Sequence, residues 1–149
     1  MPLLNAAFWL QVALACGNGA DHRLVGALLE HESGGNPNAV HLNKNGTIDA
    51  GGMQVNEINW ERFHLNRQTA LDPCRSVDAG TQHLIADGGP DAVKPATVDA
   101  LLRAIGKYNP GDPTYKDKIV GIMARNADVQ PAPQKAKRSL ASQFPRVGD

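Results

Sequence analysis

The segment that most constrains this chain is an interruption, Asn36 to Gly52, reading NPNAVHLNKNGTIDAGG, set between stretches that carry helical signals. It is dense in Asn, Gly and Pro, and Asn45-Gly46 within it is the strongest hairpin signal in the chain. A small irregular sheet or a long loop is expected there. Helices are expected on both sides. Upstream, Asp21 caps a helix with Leu24, Val25, Leu28 and Leu29 on one face, and Gly34-Gly35 stops it. Downstream, Asn56 caps a short helix through Phe63, and Asp72-Pro73 opens a longer one, carrying Val77 to Ala86, that ends at Gly88-Gly89-Pro90. Two more run from about Thr97 to Lys107 and from Asp112-Pro113 onward, the last with Tyr115, Ile119, Ile122 and Met123 on one face. The fold class expected is α+β, mainly helical, with five or six helices around one turn-rich insert.

The two ends of the chain carry weaker signals. Leu3 to Cys16 is apolar, and Leu4, Phe8, Val12 and Ala15 form the stripe of a first core helix. The same stretch has the length of an export-signal core without a basic segment before it, and Ala13-Leu14-Ala15-Cys16 hints at a lipoprotein cleavage site. Beyond Ala127 the periodicity dissolves, so residues 1–127 are expected to form the domain and 128–149 a flexible tail. The basic cluster Lys135, Lys137 and Arg138 in that tail either meets an acidic partner or is simply solvated.

Composition removes several function classes. The 149 residues hold 15 basic and 15 acidic side chains, a balance unlike that of proteins that live on nucleic-acid phosphates or anionic membranes. No apolar run approaches the roughly 18 residues of a membrane span. Five histidines include no pair at i and i+4, so no zinc-protease motif exists and neither a catalytic metal nor a cofactor is expected. Gly17-Asn18-Gly19 precedes a helix but lacks the third glycine of a dinucleotide fingerprint, and is read as a turn.

Chemistry points to two carboxylates. Glu32 follows Leu28 and Leu29 by four and three residues and shares their face, whereas Glu30 does not. A carboxyl at the end of an apolar stripe is partly desolvated, and its pKa should rise as a general acid requires. The alternative is a helix-terminal glutamate pointing to solvent. Asp49 follows the Asn45-Gly46 turn, so a hairpin folds it back across a groove from Glu32, the arrangement glycoside hydrolysis uses; a plain turn aspartate is the other reading. Trp60 and Phe63 lie one helical turn apart, either stacking on a sugar or packing beneath the cleft.

The run from His31 to Asn56, HESGGNPNAVHLNKNGTIDAGGMQVN, resembles the lysozyme-like lytic transglycosylases, with their Glu-Ser pair, Asn-Pro, Gly-Met-Gln and hydrophobic-Asn segments. The resemblance continues through Asp72-Pro73-Cys74 and Tyr108-Asn109-Pro110-Gly111 and covers roughly Cys16 to Ala127. It is strongest to the peptidoglycan-cleaving components of type IV secretion and conjugation machines. The Glu-to-Asp interval also resembles that of animal lysozymes. This likeness implies a lysozyme-like fold whose cleft lies between the second helix and the insert. It implies that Glu32 protonates the glycosidic oxygen between N-acetylmuramic acid and N-acetylglucosamine, then serves as base to the sugar's own 6-hydroxyl, giving a 1,6-anhydro product. Asp49 is then an auxiliary group. Ser33, Met53 and Gln54 match cleft residues of the family, Tyr108 matches the tyrosine expected to hydrogen-bond the catalytic carboxyl, and Asn56 and Asn109 match less closely.

The resemblance also implies partners and surroundings: peptidoglycan strands as substrate, envelope proteins of a secretion machine, a periplasmic monomer, no nucleic acid. Cys16 and Cys74 look like positions where secretion-associated relatives keep cysteine, so a disulfide is implied; two buried free thiols are the alternative. A hydrolytic muramidase and a non-catalytic glycan-binding assembly module are the competing functions.

Overall fold

The computed structural model describes residues 2–93, 95 and 97–133. Among the described residues there are five α-helices, α1 (Ala6–Cys16), α2 (His22–Ser33), α3 (Pro73–Gly88), α4 (Val98–Tyr108) and α5 (Tyr115–Arg125). Between α2 and α3 lie three short strands, β1 (Val40–Leu42), β2 (Ile48–Ala50) and β3 (Val55–Asn56), joined in one antiparallel sheet of order β1-β2-β3. The mainly helical α+β architecture with a small β insert is therefore the one expected. Among the described residues no helix is long and apolar enough to cross a membrane.

Local chemistry explains most boundaries. The Asp21 carboxylate accepts from the Arg23 and Leu24 amides at the start of α2, and Gly34 ends the helix with φ 64°, a left-handed conformation that suits glycine. Asp72 caps α3 through the Arg75 amide with Pro73 in the first turn, and Thr97 caps α4 through the Ala100 amide. One expected helix is shortened and another starts later. The helix expected after Asn56 is a short 3-10 segment, Glu57–Asn59, still capped by the Asn56 side chain on the Ile58 amide. α5 begins at Tyr115 because Asp112 spends its carboxylate on the Thr114 amide and hydroxyl, folding residues 112–114 into a turn.

α1 differs from the expected stripe. Phe8 is buried as anticipated, but Leu4 precedes the helix and is 55% exposed, Ala15 is exposed, and Trp9, Leu10 and Ala13 fill the core instead. The cause is that α1 packs against both α2 and α3, so its buried face is broader than one stripe and rotated from the one read in the sequence. Gly26 of α2 lets Leu10 approach, since a Cβ there would stand 2.7 Å from the Leu10 side chain.

The turn-rich insert folds as the Asn45-Gly46 signal implies. The Asn43 amide donates to the Thr47 carbonyl at 2.8 Å, Gly46 takes φ 87°, and β1 and β2 pair with Val40 opposite Ala50, His41 opposite Asp49 and Leu42 opposite Ile48. β3 pairs Asn56 opposite Asp49, so His41, Asp49 and Asn56 share one face of the sheet.

Trp60 and Phe63 are buried beneath this region, and the Trp60 indole donates to the Val55 carbonyl, which fits packing rather than sugar stacking. The turn at Gly17-Asn18-Gly19 is held to α3 by the Asn18 amide, which donates to the Asp78 side chain at 2.8 Å and to Thr81 Oγ1 at 3.0 Å.

The ends of the described chain meet at the C-terminal half of α2. Glu30, whose side chain is 3% exposed, accepts from the Leu3 amide and the Asn126 amide group and pairs with Arg125. Arg23 donates to the carbonyls of Asn126 and Val129, and the Ala132 amide donates to Ala7 at 2.8 Å, so the residues just after α5 run along α1. Lys135, Lys137 and Arg138 lie outside the described residues.

Cys16 and Cys74 form a disulfide that ties the end of α1 to the first turn of α3, with Cα atoms 5.5 Å apart. It closes a loop of 58 positions, worth about 4 kcal/mol in the chain-entropy model. Replacing both cysteines by serine should lower the thermal midpoint by roughly 10 °C, and reductant should shift only the parent protein. A midpoint within about 3 °C of the parent would show that the bridge adds little.

Candidate active site

Glu32 occupies the last turn of α2, where Ser33 and the two following glycines complete the helix end. The Ser33 hydroxyl donates to the Leu29 carbonyl at 3.1 Å and accepts from the Gly35 amide at 3.2 Å. Ser33 thus shapes the end of the helix beside the acid. Glu32 Oε1 accepts a 2.8 Å hydrogen bond from the Tyr115 hydroxyl. Burial pushes the carboxyl up from 4.5 to about 6; the Tyr115 bond pulls the other way, and the negative charge of Asp49 adds to the rise. The expected rise by desolvation is present.

The tyrosine that holds it is not the expected one. Tyr108 donates instead to the Met53 carbonyl at 3.2 Å, while Tyr115, read from the sequence only as a core residue, carries the bond to Glu32. The two rings stack, centroids 6.5 Å apart. Each phenol is pushed above its ordinary range by burial first and by the Glu32 carboxylate second, so both remain O–H donors at any physiological pH. The signal that could have found Tyr115 is scarcity: the chain has only two tyrosines, and both lie in the segment around Tyr108-Asn109-Pro110-Gly111.

Asp49 projects from β2 on the face it shares with Asn56, whose amide donates to Asp49 Oδ1 at 2.7 Å and to Thr47 Oγ1 at 3.0 Å. The carboxylate is thereby oriented. Asn56 is itself fixed, because its oxygen caps Ile58 at 3.1 Å. Asn56 is thus a holder of Asp49.

Met53 and Gln54 support the site in a different way from the one anticipated. Met53 is fully buried, seated against Gly80 of α3, where any Cβ would fall 2.6 Å from its side chain. Its side chain cannot touch a sugar, but its backbone is a hub: the amide donates to Ser76 Oγ at 3.1 Å and the carbonyl accepts from Tyr108. Gln54, at φ 52°, spends its amide N–H groups on the carbonyls of Ala39 and Gly51, clamping the start of the insert to its end. Asn109 lies half-buried at the end of α4, and its carbonyl accepts from the Asp112 amide at 3.4 Å. Among the described residues no cluster of His, Cys, Asp and Glu could hold a metal ion.

This arrangement can hold a proton near neutrality and give it to an oxygen, and it brings a second carboxylate, Asp49, near enough for its charge to act on Glu32. Two consequences are measurable. The folded carboxyl of Glu32 binds its proton more tightly than an unfolded one, so ionising it costs stability as pH rises from 4.5 through about 6. Glu32→Gln, compared with the parent by chemical unfolding, should gain up to about 2 kcal/mol on going from pH 4 to pH 7. Because the Tyr115 bond favours the carboxylate, Tyr115→Phe should move the Glu32 titration upward from about 6, read by NMR of the side-chain carbonyl; a downward move would contradict that account.

The transglycosylase SLT domain family matches residues 11–128. A comparison with curated proteins found no match. The matched segment covers most of the chain and contains every residue of the site, from Glu32 to Tyr115; the chain belongs to the SLT transglycosylase family, lytic transglycosylases of lysozyme-like fold that cleave the glycosidic bonds of peptidoglycan.

Proposed function

We propose that this protein cleaves the β-1,4 bond between N-acetylmuramic acid and N-acetylglucosamine by an intramolecular course, with Glu32 as acid and then base. The observation that carries the reading is the environment of Glu32, a carboxyl raised to about 6 by burial and held by a neutral phenol. Protonated Glu32 gives its proton to the bridging oxygen, the bond from C1 to that oxygen breaks, and the N-acetylglucosamine 4-hydroxyl leaves. Glu32, now a carboxylate, takes the proton of the muramyl 6-hydroxyl as that oxygen bonds to C1. No water is consumed, and the acid is restored for the next turnover. One carboxyl suffices because the attacking hydroxyl belongs to the substrate and is already near. Asp49 stabilises the oxocarbenium-like charge between the two steps. The Tyr108 and Asn109 segment, with Ser33 and Asn56, lines and braces the cleft.

A hydrolytic course is the second reading, favoured by the hydrogen-bonded Asp49 facing the same region as Glu32. The Cys16–Cys74 bridge supports an oxidising compartment, in keeping with a periplasmic enzyme that opens gaps in the wall for a secretion or conjugation machine. Residues 1–127 are proposed as the catalytic domain and 128–149 as its tail.

Zymography on peptidoglycan gels should show clearing by the parent protein and less than about a hundredth of it by Glu32→Gln. Higher residual activity would remove Glu32 from the acid's role, and a parent without clearing would leave a glycan-binding module. Mass spectrometry of the products should find anhydro ends, lighter by one water than hydrolysed ends. Reducing ends alone would establish the hydrolase.

A further inference from the structure

Tyr115 is fully buried although it stands at the first position of a helix whose outer face is exposed. Its ring is enclosed on two sides. Tyr108 stacks on it from one direction, and the imidazole of His31 meets it edge-on from another, centroids 5.0 Å apart at 81°. His31 immediately precedes Glu32 on α2, so the residue beside the acid braces the phenol that holds the acid. Yet the imidazole is itself exposed and takes no part in the hydrogen bond.

We propose that His31 is a positioning residue for the cleavage reaction: its ring walls Tyr115 into the orientation that keeps the phenol on Glu32. This rests on the reading of Glu32 as the acid. A ring in this place serves best as a neutral wall, and its surroundings favour the neutral form. Partial burial and then the positive charge of Lys118 lower the imidazole's proton affinity, opposed by the weaker pull of Asp112. Lys118 is drawn toward Asp112, its ammonium 3.3 Å from Oδ2. Glu30, Asp117 and Arg125 line the same groove between α2 and α5, and Arg125 is paired with Glu30. Two of the three carboxylates around His31 are thus paired, Asp112 with Lys118 and Glu30 with Arg125, and Asp117 is the third. A neutral ring next to Tyr115 also spares Glu32 a nearby cation, which would favour its ionised form and spoil it as an acid.

The test is a double-mutant cycle read in steady-state cleavage of soluble, uncrosslinked peptidoglycan strands. His31→Ala should lower kcat about tenfold with KM unchanged, and His31→Phe, which keeps a neutral ring, should restore most of the loss. In the Tyr115→Phe background, where no phenol remains to be aimed, His31→Ala should have little further effect. A full tenfold loss in that background would show that His31 acts independently of Tyr115 and overturn the proposal, as would a His31→Ala variant with parental kcat. Glu32→Gln is run in parallel: if it stays active, the reading of the acid has failed, whereas an inactive Glu32→Gln with an additive cycle defeats only the role of His31.

Discussion

The position of the insert depends on one side chain. The Trp9 indole donates to the Gly35 carbonyl at 3.0 Å, and its ring lies against Gly52, where a Cβ would come within 2.8 Å of Cη2. Gly35 ends the stop signal after Glu32, and Gly52 ends the insert that carries Asp49. One buried ring on α1 therefore touches both ends of the insert that follows Glu32 and carries Asp49. Neither glycine can be replaced without displacing something rigid, since a Cβ on Gly35 would meet the Leu4 carbonyl oxygen at 2.6 Å. A free loop of this length would leave the carboxyls uncorrelated, and catalysis on a glycosidic bond requires them placed to a fraction of an ångström.

Glu30 and Glu32 show how two carboxyls on one helix are given opposite surroundings. Glu30 receives a guanidinium, a side-chain amide and a backbone amide, a set suited to a permanent anion that ties the chain's ends to α2. Removing any one of those partners would leave a buried charge short of compensation. Glu32 receives its hydrogen bond from a phenol that carries no charge, in surroundings that withhold water. Burial alone does not make an acid, because the more buried of the pair is the structural one. The decisive difference is the charge of the partners.

What was legible in the sequence follows from the range of each interaction. Caps and stops are local, so Asp21, Gly34, Asp72, Pro73 and Thr97 declared their helices, and Asn45-Gly46 declared the hairpin. Glu32 was legible because its apolar neighbours lie within one turn of the same helix. Tyr115 was not, since its bond to Glu32 spans 83 positions and its spacing fits a core stripe equally well. The same holds for the face of α1: a helix packed on two sides has no single stripe to read, so Trp9 gave no local sign of its role. Met53 and Gln54 were legible as a motif while their tasks were not. A motif says that residues are needed together, and only the contacts of Met53 with Gly80 and of Gln54 with Ala39 and Gly51 say that they are needed as framework.

The balance at Glu32 suits the two-step course proposed for it. An acid that must later act as base needs both of its forms within reach, and a group displaced far in either direction would perform one step and fail the other. Burial raises the carboxyl, which secures the proton for the leaving oxygen. The Tyr115 bond works against burial and strengthens when the carboxylate forms, so it stabilises the glutamate at the moment the glycosidic oxygen has taken its proton. In the proposed course the negative charge of Asp49, which adds to the rise at Glu32, favours both the cationic sugar and the return of a proton to Glu32. The phenol makes the carboxylate accessible and the aspartate makes it temporary, while burial, the largest influence, is what lifts the group to about 6.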